Sequence, residues 1–141
     1  MIRRKKLNPE RSYLFEDLGN ALSRLGAVLD ASLDENDYVL DATIQRFEFT
    51  IELFWKTLQY LLIKEGLVKT KTPRETLSAA YAAHWIDDEN IWLDMIDARN
   101  LTSHAYHQET ALEIYHDVKK FYPRLKNTYE ILKQKHETIK S

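Results

Sequence analysis

Eight consecutive residues, Arg99-Asn100-Leu101-Thr102-Ser103-His104-Ala105-Tyr106, gather a fixed cation, a proton-transfer group and a phenol. An arginine is always charged and forks onto phosphate oxygens, whereas histidine is the side chain whose ordinary pKa lets it give and take protons near neutrality. Together they point to phosphodiester chemistry. No other stretch of the chain is as dense in such groups.

These residues have to be held by a scaffold, and the bulk sequence says which kind. At 141 residues the chain is long enough for one domain of ordinary size, read here as spanning 1–141 with polar ends at about 1–9 and 137–141. Three glycines and three prolines leave little turn chemistry for hairpins and favour long uninterrupted helices. With no cysteine there is no disulfide framework, thiolate nucleophile or thiolate metal site. The N-terminus, Met1 to Pro9, carries positive charge with no apolar run behind it, so it is not a secretory signal, and no segment approaches a membrane span. A cytoplasmic protein is expected. The net charge of −2 argues against a globally basic nucleic-acid binder, although five Lys/Arg fall within the first 11 residues and seven between Lys119 and Lys140. Any contact with RNA is therefore local.

Apolar periodicity supplies the elements. Leu14, Leu18, Ala21, Leu25 and Val28 form the stripe of a helix over about 10–30, and Ser32 to Asp37 break it. A second helix carries Leu40, Ile44, Phe47, Ile51, Phe54, Leu58 and Leu61 in a four-three rhythm, with Gly66 where a C-terminal cap belongs. Phe49, Trp55 and Leu62 lie off that seam, which makes this helix either central or shared with another subunit. Thr72-Pro73-Arg74-Glu75 has the form of a capping box with proline at the first helical position, and opens a short helix to about Ala83. Asp87-Asp88-Glu89 starts a fourth helix that runs through Trp92 and Ile96 into the Arg/His segment. A last helix, about 109–138, keeps its phase from Leu112 to Leu132 across Pro123, which reads as a kink and not a stop. The expected fold is all-α: an antiparallel bundle of four long helices and one short one.

On a regular helix Trp92, Ile96, Arg99, Ser103 and Tyr106 share one stripe, while Asn100, His104 and His107 form a second row if the helix lasts that far. Arg99 and His104, five residues apart, then diverge by about 140°, so one straight helix cannot clasp one phosphate with both. Either the helix ends or bends near Ser103, or a second copy packs antiparallel and brings one subunit's arginine to the other's histidine. The second solution is preferred, because a two-fold contact is self-complementary. Arg99 has no carboxylate three or four residues away on its own helix, which leaves its charge free unless an acidic residue of another helix pairs with it. The same side chains also suit purely structural work, with arginine capping last-turn carbonyls, histidine satisfied by backbone and tyrosine at the bundle edge. Glu48 and Glu52, one turn apart, could share a face as the paired carboxylates of a metal or acid/base site do, but a solvated helix face is the preferred reading; His84, His107, His116 and His136 show no metal-ligand spacing with carboxylates, so no metal is expected.

Arg99 to Tyr106 resembles the R-x-x-x-x-H-x-Y motif of HEPN-domain proteins. More narrowly, about residues 10–135 are similar to the small nucleotidyltransferase substrate-binding proteins, the toxin halves of HEPN/MNT toxin-antitoxin pairs. The segment Phe47 to Lys56, with two glutamates among aromatics, is a second and less specific point of likeness. The resemblance implies a HEPN-like bundle and metal-independent cleavage of RNA, without a cofactor, by a composite site at a homodimer interface. It carries the catalytic positions to Arg99 and His104, with Asn100 supporting them by orienting phosphate or holding His104. It also implies an MNT-type nucleotidyltransferase antitoxin as partner, which can transfer AMP to Tyr106. Leu101 and Ala105 make the motif's surroundings less polar than catalysis alone would ask. The rival reading is a non-catalytic subunit that binds a nucleotide or presents substrate to a separate nucleotidyltransferase.

Overall fold

A computed structural model of the chain describes residues 13–33 and 37–140. The basic N-terminal run and residues 34–36 of the polar break lie outside the described residues. Five α-helices follow in order: α1 Tyr13–Leu29, α2 Tyr38–Lys64, α3 Pro73–Ala82, α4 Glu89–Leu101 and α5 Gln108–Lys140, with a 3₁₀ turn at Thr102–His104 between the last two. Four long helices and one short one form the expected all-α bundle.

The central helix is α2. All seven residues of its expected seam are buried, as is Leu62, so the breadth of its apolar face is largely satisfied within one chain. Between the seam residues Thr43, Thr50 and Thr57 are fully buried at a seven-residue repeat. Each hydroxyl donates to the carbonyl four residues earlier, at 2.6–2.7 Å, which removes the cost of burying it. Of the other residues off the seam, Trp55 is half-buried and Phe49 is exposed, with 54% of its surface open, as are Tyr38 and Ile63 toward the helix ends. The α2 C-terminus is closed by a Schellman motif: Gly66 has φ +69°, its N–H donates to Ile63 and that of Leu67 to Leu62.

α1 is rotated slightly from the expected stripe. Phe15 and Leu22 are buried with Leu18, Leu25 and Val28, whereas Leu14 and Ala21 are half-buried. The cause lies on α5. Tyr122 and Tyr129 lay their rings over Gly26 and Gly19, where a Cβ would collide with each phenol, and donate to the carbonyls of Leu22 and Phe15 at 3.2 and 3.3 Å. Two glycines and two tyrosines, each pair seven residues apart, thus dock α1 and α5 antiparallel at close range. α5 runs through Pro123 without a break, as its unbroken apolar phase predicts.

The remaining contacts aim α4. Thr72 caps α3 by accepting from Glu75 N–H, but Glu75 reaches past the cap and accepts from Lys71 N–H at 2.8 Å, so the capping box is displaced by one residue. Asp88 caps α4 through Ile91 N–H. Arg74 pairs with Asp97, Ser78 donates to Glu89 at 2.6 Å, and Arg124 pairs with Asp87 at 2.7 Å, tying α4 to α3 at both ends and the segment before it to α5. Trp92, Met95, Ile96 and Ala98 bury its inner face.

Candidate functional site

The α4 helix ends three residues into the dense segment. Leu101 is its last residue, Thr102 N–H turns back to Arg99 and Asn100 carbonyls, and the chain tightens into the 3₁₀ turn that holds Ser103 and His104. Ser103 Oγ donates to Asn100 O at 3.1 Å, which consumes a carbonyl at the helix end. The two straight rows expected from 100° spacing therefore do not extend to Tyr106 and His107. Of the two geometric solutions, termination near Ser103 is realised within the chain.

Arg99 points from α4 toward α2. Its Nε lies 3.1 Å from Glu52 Oε1, and each side chain keeps 34% of its surface exposed. The charge of Arg99 is therefore not free, contrary to what its own helix suggests, because the carboxylate comes from another helix. The contact is an ion pair without an aligned N–H···O bond. It engages the Nε edge of the guanidinium, and among the described residues no other carboxylate pairs with the two terminal nitrogens. Those nitrogens form the fork that suits a phosphate. The second oxygen of Glu52 lies 3.8 Å from Lys56 Nζ, so one carboxylate is shared by two cations.

One turn earlier on α2, Glu48 Oε1 lies 3.1 Å from the Thr102 hydroxyl, which also lies 2.6 Å from Arg99 O. The single hydroxyl proton serves either acceptor. Glu48 and Glu52 thus form no detached solvated face: they are half-buried and meet Thr102 and Arg99. The pairing 48 with 102 and 52 with 99 sets α4 antiparallel to α2 across this edge. Sequence reasoning missed these partners, although a usable signal existed: carboxylates four apart on one helix match positions three apart on an antiparallel neighbour, since both spacings are about one turn.

His104 is exposed and its Nδ1 lies 3.5 Å from Tyr106 Oη, a long contact at the limit of hydrogen bonding. Tyr106 is 76% exposed and its ring also rests against His107, centroids 4.4 Å apart. The motif's histidine and tyrosine are thus brought together, while Arg99 sits on the α2 side of the helix with Glu52. Asn100 is exposed, and its carbonyl is used by Ser103. Of the other histidines, His136 is buried and stacks on Phe15, centroids 4.7 Å apart. Among the described residues no three His, Asp or Glu side chains gather to hold a metal ion. No helix among them is long and apolar enough to cross a membrane.

Comparison with known proteins agrees with the motif. The family described as nucleotidyltransferase substrate binding protein like matches residues 13–134. A Haemophilus influenzae protein named "Probable ribonuclease HepT" is 29% identical over 105 residues, covering 72% of each chain. A crystal structure of a Thermus thermophilus protein superposes with a TM-score of 0.70 at 34% identity, covering 79% of this chain and 94% of that one.

Proposed function

Because the chain belongs to the nucleotidyltransferase substrate-binding protein family, the HEPN-type toxins its motif resembles, we propose that it is a metal-independent endoribonuclease toxin whose site is completed by a second copy of itself. The observation that carries this reading is the division of labour around the end of α4. Arg99 is anchored by its Nε edge with its fork available, and His104 stands exposed on the turn beyond. The named ribonuclease relative supports the same chemistry.

In this reading Arg99 binds the scissile phosphate and stabilises the charge that grows on it, while His104 transfers the proton. The ribose 2′-oxygen attacks phosphorus and loses its proton, the 5′-oxygen leaves and gains one, and the products are a 2′,3′-cyclic phosphate and a 5′-hydroxyl. Asn100, exposed beside Arg99, supports the phosphate. The two-copy site is taken from the family resemblance, and it is supported by the placement of Arg99 toward α2 and of His104 beyond the helix end.

Tyr106 is the proposed point of control. Its phenol is accessible to a nucleotidyltransferase, and attack of Oη on the α-phosphorus of ATP, with loss of the phenolic proton and of pyrophosphate, would attach AMP. The adenylate would set bulk and negative charge beside His104, where the phenol already touches the imidazole, and repel an RNA phosphate.

The test is cleavage of RNA by the purified chain in the presence of a chelator, with end-group analysis for the cyclic phosphate. His104→Ala is expected to lose about 10²–10⁴-fold in rate. Mixing inactive Arg99→Ala and His104→Ala chains should restore up to about a quarter of the activity, since half the dimers are mixed and one of their two sites is intact. Activity that survives His104→Ala removes the proposed chemistry. RNA binding without cleavage by the wild type would instead make the chain a non-catalytic substrate-binding subunit.

A further inference from the structure

We propose that the cleft between α1 and α2 is a nucleobase subsite, built to take a guanine of the RNA strand beside the scissile phosphate. The proposal rests on the ribonuclease reading for its place next to the chemistry, and on the cleft itself for its ligand. The cleft encloses about 400 Å³ and shares one residue with the site: Glu52 lines it and also holds Arg99 by its Nε edge. One carboxylate thus separates the opening from the guanidinium that receives the phosphate.

The two helices run antiparallel, and Arg46 Nη1 donates to Arg24 O at 2.8 Å, which fixes their relative height. A step of three residues from that contact along each helix sets Phe49 level with Ala21, and a step of seven sets Asp17 level with Leu53, next to Glu52. The cleft therefore has three parts over about 10 Å. One end carries the carboxylates of Asp17 and Glu52, and the other carries the guanidiniums of Arg24 and Arg46. Between them stands the ring of Phe49, more than half exposed, across from the small side chain of Ala21. An open aromatic face with a small residue opposite is a slot for a planar group. Asn20 lies on the same wall as Asp17 and Arg24, three residues after one and four before the other. Among the described residues the side chains of Asp17, Asn20 and Arg24 have no hydrogen-bond or ion-pair partner, and no carboxylate pairs with Arg46.

This polarity selects the base. A planar ligand stacked on Phe49 must present donors to the carboxylate end and acceptors to the guanidinium end. Guanine does so, with N1–H and the N2 amine on one side and O6 and N7 on the other. Asp17 accepts from N1–H and N2–H, Asn20 donates its amide N–H to O6, and Arg24 donates to O6 and N7, the pairing arginine commonly makes with this base. Adenine places acceptors, N1 and N7, on both sides of its amine, so one of them meets a carboxylate. Uracil likewise flanks its one N–H with two carbonyls. Cytosine has the right order, but a single ring spans less of the distance between the two ends and covers less of Phe49.

The experiment has two readouts, so that the cleft and the chemistry fail separately. Titration of the full chain with guanosine 3′-monophosphate, followed by calorimetry, is expected to show binding about tenfold or more tighter than that of the adenosine, cytidine and uridine 3′-monophosphates. Cleavage of DNA oligonucleotides carrying one ribonucleotide, with each base in turn on either side of the scissile phosphate, is expected to be faster by a similar factor with guanine at one of the two positions. Asp17→Ala, Arg24→Ala and Phe49→Ala, each shown to be folded by circular dichroism, should reduce the guanine preference about five- to a hundredfold. Exchanging guanine for 7-deazaguanine removes the N7 acceptor, and should slow the wild type but add little to the loss in Arg24→Ala. Hypoxanthine, which lacks the N2 amine, should behave in the same way toward Asp17→Ala. No merely structural role of either residue gives such matched losses. Equal binding of the four nucleotides together with cleavage indifferent to base overturns the proposal. Folded variants that keep the guanine preference overturn it as well, and if they lower the mass of the chain in solution, the cleft is instead a contact between copies. Selective, Asp17-dependent binding of guanosine 3′-monophosphate by a chain that cleaves no RNA defeats the ribonuclease reading and leaves the cleft standing.

Discussion

Glu52 Oε1 lies 3.1 Å from Arg99 Nε, joining the middle of α2 to the last turn of α4 and spending the arginine's edge while leaving its fork. Half-exposed ion pairs of this kind contribute little to stability, about 0–1 kcal/mol. In the proposed reaction the value of this pair is orientation: a guanidinium on a long flexible stem otherwise samples many rotamers, and each wrong one would withdraw the fork from the phosphate.

Glu52→Gln should therefore separate stability from function. Chemical denaturation is expected to show a loss within about 1 kcal/mol. The rate of RNA cleavage is expected to fall about ten- to a hundredfold, as a small misplacement of a positioning group does. Equal and small effects on both would show that Glu52 does not orient Arg99.

Arg99→Lys keeps the charge and loses the geometry. An ammonium is one point charge, so it cannot rest an edge on Glu52 and offer a bidentate fork at the same time. Cleavage should fall by about 10²–10³-fold, with the variant's melting temperature close to that of the wild type. Kinetics at saturating RNA makes the comparison.

The seam between α1 and α5 gives a stability prediction with an internal control. Gly19→Ala sets a methyl against the Tyr129 phenol, and overpacking of this kind costs about 1–3 kcal/mol, more than the roughly 1 kcal/mol gained in helix propensity. Adding Tyr129→Phe removes the colliding oxygen, together with its bond to Phe15 O, and should recover part of the loss. Denaturation of the single and double variants reads the coupling directly.

At Gly66 the effect is backbone alone. Its φ of +69° ends α2, and no atom lies within 4 Å of a Cβ built there. Gly66→Ala should cost about 1–2 kcal/mol through the left-handed conformation, while Gly66→Asn, which tolerates that region, should cost less. Thermal melting distinguishes the two.

What was legible in advance follows from periodicity. The α2 seam, the cap at Gly66, the start at Thr72-Pro73 and the passage of α5 through Pro123 are all local patterns, written in spacings along one helix, and each appears in the fold. The phase of α1 was less legible. Its stripe predicted Leu14 and Ala21 inward, and the tyrosines of α5 turned Phe15 and Leu22 in instead, a preference visible only once Gly19 and Gly26 are matched to their partners.

The motif likewise divides into what is local and what is not. Arg99, His104 and Tyr106 stand in one short segment, so the sequence alone determined the chemistry available and the family in which it occurs. The tertiary structure decided which charges meet. An ion pair between helices depends on their separation, relative height and rotation, which the long-range packing of α2 against α4 sets and no single-helix spacing encodes. For that reason Glu52 read as solvated and Arg99 as free along the chain, and they proved to be partners when it folds.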